Sequence, residues 1–152
     1  MYSAVLNIHS WLRWITLLLA IGATLNALRA DRDLSERPPG KEWDVCFMMA
    51  LDFQVLFGIL LYFVLSPLTK AAMNNPGGVI GNPTLRFWAL SHLAAMVAAT
   101  LLVRVGRVLA IRAKTAPKRR QWRLTFFALT TLAILIGIPW PWMSIGRPLF
   151  RF

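Results

Sequence analysis

The chain contains two histidines, His9 and His92, and both stand inside long apolar runs rather than in polar connections. An ionisable side chain at membrane depth is costly, and where one is retained it commonly serves a proton, an ion or a cofactor. His9 is followed twenty residues later by Arg29-Ala30, and His92 twenty residues later by Arg112-Ala113. At about 1.5 Å per helical residue, each histidine stands roughly 30 Å from its arginine, which sets both at one depth on parallel helices. Two neutral imidazoles facing each other across a bundle can supply both axial ligands of a single b-type haem.

The neighbours of each histidine bear on that chemistry. Residues three and four apart share a helix face. His92 shares its face with Ala89, Ala95 and Ala99, small enough to leave room for a flat macrocycle, and with Trp88 and Met96 as flat or soft packing partners. Arg13 lies one turn from His9, where its guanidinium can pair with a haem propionate; Arg86 is a second candidate for that role. Other readings remain open. The histidines can be hydrogen-bonding groups in a cofactor-free subunit whose small residues, such as Ala20, Gly22, Ala23 and Ala27, serve close helix packing. A copper or zinc ion is a further alternative, with His9 and His92 as its metal ligands.

Asp52 is the acid within the second apolar run. It is read either as the partner of Arg13 in a salt bridge or, with Gln54, as a proton carrier or quinone ligand. The single cysteine, Cys46, excludes an internal disulfide and is read as a packing residue. The sequence contains no P-loop, GxGxxG turn, nucleophile elbow or zinc motif.

The elements that position these residues follow from hydropathy. Hydrophobic residues make up 57% of the 152, and the mean hydropathy is +0.56, outside the range of a water-soluble domain of this size. About 20 apolar residues span a hydrocarbon core. Four such windows predict an all-α integral membrane protein of one domain, an up-down-up-down four-helix transmembrane bundle with helices near 4–28, 45–65, 84–113 and 118–138. Residues 139–152 are read as a short outer tail. The first window is read as a retained helix, since it carries Arg13 and has no basic residues before it.

A net charge of +11 would point to nucleic acid in a soluble protein, but here the basic residues cluster beside the apolar runs, so no nucleic-acid partner is expected. Arg29, Arg32, Arg37 and Lys41 fill the first connection, and Arg104 to Arg123 the third; the second holds Lys70 and Arg86. The positive-inside rule then makes the first and third connections cytoplasmic and leaves both termini outside. The third connection would lie on anionic membrane lipids or dock an acidic partner. Asn82-Pro83 reads as a cap and first-turn proline opening helix three, and Asn74 to Gly78 as turn chemistry alone.

Ile8-His9-Ser10-Trp11-Leu12-Arg13-Trp14, Ala50-Leu51-Asp52-Phe53-Gln54, Leu61 to Lys70, Leu85-Arg86-Phe87 with His92, and Gly137-Ile138-Pro139-Trp140-Pro141 resemble small four-helix bacterial membrane proteins of the cytochrome b-like type. The resemblance covers nearly the whole chain. It implies one haem b in a prokaryotic cytoplasmic membrane and an electron carrier rather than a stand-alone enzyme. Quinone or a partner redox protein would exchange electrons with it, and a larger respiratory or photosynthetic complex would be its setting. With two histidines the chain departs from di-haem b cytochromes of the b561 type, which use four.

Overall fold

The structure, a computed structural model, describes residues 1–29 and 41–150. Among them every regular element is helical. The first is α1, Tyr2–Ala27; α2, Lys41–Leu60, runs on into a π-helical turn, Leu61–Leu65. Short helices α3, Pro67–Asn74, and α4, Pro76–Gly81, lead to α5, Pro83–Arg86, which continues through a second π-turn, Phe87–Ser91, into α6, His92–Ile111. The last is α7, Ala116–Gly137. Three stretches, Tyr2–Ala27, Lys41–Leu65 and Pro83–Ile111, are long and apolar enough to cross a membrane. The fourth, α7, opens on Lys118, Arg119 and Arg120 and is less apolar over its first turns.

Three helices share one starting device. Ser66, Asn75 and Asn82 each precede a proline, and each side chain accepts a backbone N–H of the turn that follows. Proline suits the first turn because its missing N–H would have no intrahelical partner there. The segment expected to be turn chemistry alone is therefore a helical cap, with Ala72 and Val79 buried against Ala89 as a small core. Thr115 caps α7 in the same way, accepting from the N–H of Lys118.

The long helices pack with α1 against α2 and α7, and α6 against α7 and, more sparsely, α2. This sets α1 and α6 diagonally. Ala20, Ala23 and Ala27 are fully buried with Phe47, Leu51, Val103 and Phe127, so the small-residue stripe of α1 does serve close packing. The rings of Phe47 and Phe127 meet edge to face at 6.1 Å. Gly106 gives α7 its approach to α6, because a Cβ there would run into Phe126.

Two polar assignments are corrected. Asp52 pairs with Arg104, not Arg13, because it lies on the exposed side of α2 while Leu51 and Gln54 face inward. Cys46 is exposed on the same helix rather than packed. A bidentate pair escaped the sequence reading altogether: Arg123 Nε donates to Asp44 Oδ2 at 2.9 Å and Nη2 to Oδ1 at 3.0 Å, and both residues are buried.

Candidate functional site

A cavity of about 100 Å³ lies between α1, α2, α6 and the end of α7. It is several times larger than the roughly 10–15 Å³ that one water molecule needs. His9, Arg13 and Ser10 reach it from α1, Gln54 and Gly58 from α2, Trp88, His92 and Met96 from the α5 to α6 run. Each π-turn brings residues to its wall: Leu61 and Tyr62 from the first, Trp88 from the second, with His92 directly after it. Such one-turn widenings rotate the side chains beyond them and are frequent at functional sites.

Tyr62 holds the two π-turns in register by donating its hydroxyl to the Ala89 carbonyl at 2.9 Å. The Tyr62 carbonyl in turn accepts from Thr69 Oγ1 at 2.6 Å. His92 donates from Nδ1 to the Gly137 carbonyl at 2.8 Å. That carbonyl belongs to the last turn of α7, where no intrahelical N–H is left to bind it. A carbonyl only accepts, so Nδ1 carries the proton and Nε2 of the neutral ring keeps its lone pair. Gly137 packs closely against α6, where a Cβ would meet the Met96 methyl and the Ala95 Cβ.

His9 is held differently. Its Nε2 lies 3.2 Å from the Gln54 side-chain amide, while its Nδ1 and Gln54 Oε1 are buried without a partner among the described residues. Turning the Gln54 amide over lets Oε1 accept from a protonated Nε2, which moves the imidazole lone pair to Nδ1. Trp88 Nε1 is a further buried polar atom with no partner among the described residues, and His9, Gln54 and Trp88 all line the one cavity. Native interiors rarely leave such atoms unpaired, and a cluster of them marks a place where a ligand or ordered water belongs.

The ring centres of His9 and His92 stand 6.4 Å apart, with the ring planes 72° from parallel. Two imidazoles on opposite sides of one metal ion, at about 2 Å per metal–nitrogen bond, have ring centres about 6.3 Å apart, against about 5 Å at a tetrahedral angle. The ring-centre separation matches the first of these spacings. No group of three or more His, Cys, Asp or Glu side chains comes together among the described residues, so a closed zinc-type ligand set is not formed there.

Of the residues singled out in the sequence, the cavity gathers His9, His92, Arg13, Trp88, Met96 and Gln54. Ala99 is instead buried in the main core and Ala95 packs toward Gly137. Arg86 is exposed and donates to the Ile80 carbonyl, away from the cavity wall. A second cation besides Arg13 does reach the wall, Arg147, whose guanidinium lies 5.6 Å from the Trp88 ring centre. It comes from the tail, which folds back so that the Leu149 carbonyl accepts from Arg13 and Trp14 at 2.8 and 2.9 Å. Gly146 permits that fold, since a Cβ there would press on the carbonyls of Trp140, Pro141 and Met143. Asp52, outside the cavity, shares no site with Gln54.

Compared with protein-family models, curated proteins and solved structures, the chain matches none.

Proposed function

We propose that this chain is a membrane cytochrome of the b type, binding one haem between His9 and His92 and carrying single electrons. The observation that carries the reading is the pairing of the chain's two histidines across diagonal helices at the spacing of opposite axial ligands. The unpartnered polar atoms around them support it, since they crowd one cavity. Bound there, a b-type haem supplies reversible one-electron transfer. The protein's part is to hold both rings. Gly137 fixes the tautomer of His92 through its carbonyl, and Gln54 engages the second nitrogen of His9; such outer partners set ligand orientation and basicity. Arg13 and Arg147 stand at the cavity with charge suited to carboxylate groups.

In this reading all four long helices cross the cytoplasmic membrane of a prokaryote, α7 included, with both termini and the haem toward the outer face. Trp11, Trp14, Trp140 and Trp142 support that placement as interfacial aromatics gathered near the outer ends. Electrons would pass to or from a quinone or a redox protein there. Purified from membranes, the protein should give a reduced-minus-oxidised b-type spectrum with about one haem per chain. A folded, colourless preparation from haem-replete cells would defeat the proposal in favour of a cofactor-free structural subunit.

A further inference from the structure

Asp52 and Arg104 form an ion pair whose side chains are about half exposed, at 51% and 46%. Asp52 lies eleven residues from Lys41 and thirteen from Leu65. It is thus about 17 Å from one end of its helix and about 20 Å from the other. Its surroundings on this face are apolar and exposed: Met49 and Phe53 on α2, Leu101 and Val105 on α6. The same two helices touch only sparsely, so the pair bridges an open seam. Arg107 crosses that seam a turn further on, pointing its Nη1 at Met48 Sδ.

A half-exposed ion pair within two membrane-crossing helices, with Asp52 midway along α2 and Arg104 seven residues, about 10 Å, from the Ile111 end of α6, is unfavourable against lipid, and charged groups at such depth almost always face protein or water. One N–H of Arg104 reaches Asp52 Oδ1, which leaves the other carboxylate oxygen and the remaining guanidinium donors for further partners. We infer that the α2/α6 face is the contact surface of a homodimer within the membrane, in which the Asp52–Arg104 pair of one protomer meets the same pair of its partner. The patch carries a donor and an acceptor side by side and is therefore complementary to itself. A twofold axis through it brings each arginine to the other chain's aspartate, the arrangement an isologous interface requires. A partner surface of a single sign would meet a like charge at one of the two residues.

The inference rests on the membrane reading of α2 and α6 and uses no property of the haem. Its test is to reconstitute fluorescently labelled protein at high dilution in phosphatidylcholine and phosphatidylglycerol vesicles and to count copies by stepwise photobleaching. Wild type should bleach in two steps. Asp52→Arg and Arg104→Asp should each lower the dimer fraction tenfold or more, and mixing those two proteins should restore dimers, because each then meets the opposite charge. Should either fail to fold, Asp52→Asn and Arg104→Gln, checked by circular dichroism, should still weaken association about tenfold. Monomeric wild type, dimers indifferent to these substitutions, or a mixture that stays monomeric would overturn the proposal. A colourless dimer would refute the haem alone, a pigmented monomer the dimer alone, and recovery in the soluble fraction the membrane reading beneath both.

Discussion

Asp44 and Arg123, near the beginnings of α2 and α7, and His9, Gln54 and Trp88, around the opposite ends of those helices, are all polar groups held among apolar side chains. At the first place both carboxylate oxygens receive guanidinium donors at 2.9 and 3.0 Å. At the second, three polar atoms have no partner among the described residues and border the cavity. A bidentate pair at a helix start locks two helices. Unmatched groups around a cavity hold binding capacity in reserve, at a standing cost to the cofactor-free fold. The difference separates scaffold from site without reference to any relative.

The largest effect that follows is on the pigment. His9→Ala and His92→Ala should each abolish the b-type spectrum while leaving the helical circular dichroism in place, because neither ring belongs to the main core. A variant that keeps one haem per chain would break the comparison at its functional end.

The scaffold end is tested by removing one partner. Arg123→Met removes the bidentate partner of the buried Asp44 carboxylate, which costs about 3–5 kcal/mol. Replacing both, Asp44→Leu with Arg123→Met, should return the protein to within a few kcal/mol of wild type or above it, since well-packed apolar pairs often equal a buried ion pair. Equilibrium unfolding in detergent micelles reads both, and haem content per folded chain should not change. Tyr62→Phe comes next: loss of its bond to the Ala89 carbonyl should cost roughly 0.5–1.5 kcal/mol. Because that bond aligns the π-turn leading into His92, a shift in reduction potential should accompany it.

How much of this was legible in the sequence varies with the physics involved. Hydropathy and caps are local, so the long helices fall within a few residues of their expected ends, with α1 at Tyr2–Ala27 against 4–28. The equal spacing from each histidine to its arginine was enough to bring His9 and His92 together. Three consecutive cap-and-proline pairs also stood in the sequence, although only Asn82-Pro83 was read as a helix start, and α3 and α4 were missed for that reason. Asp44 and Arg123, 79 positions apart, follow no periodicity that would join them. Arg147 was hidden because a tail of prolines and a glycine gives no sign of where it folds back. Arg86, by contrast, looked suitable by its place in the first turn of a helix, but the π-turn after it changes the phase between that turn and His92.

The smallest predicted effect is the most discriminating, because it repeats at the cavity the substitution made at the ion pair. Gln54→Met keeps side-chain length and removes both the hydrogen bond to His9 Nε2 and the amide's other polar atom, buried without a partner among the described residues. A lost hydrogen bond costs roughly 0.5–1.5 kcal/mol, and relief of an unsatisfied buried polar group returns about 1–3 kcal/mol, so the cofactor-free chain should stay within about 1–2 kcal/mol of wild type or gain slightly. The same change to methionine at Arg123 is expected to cost several times that. Haem retention should move the other way: with no outer partner on its second nitrogen, His9 is a less well oriented and less basic ligand, and second-shell losses of this kind weaken metal binding by roughly 10–100-fold. A Gln54→Met protein that loses stability as severely as Arg123→Met while releasing haem no faster than wild type would show that Gln54 belongs to the scaffold, and that its unpaired polar atom marks no binding site.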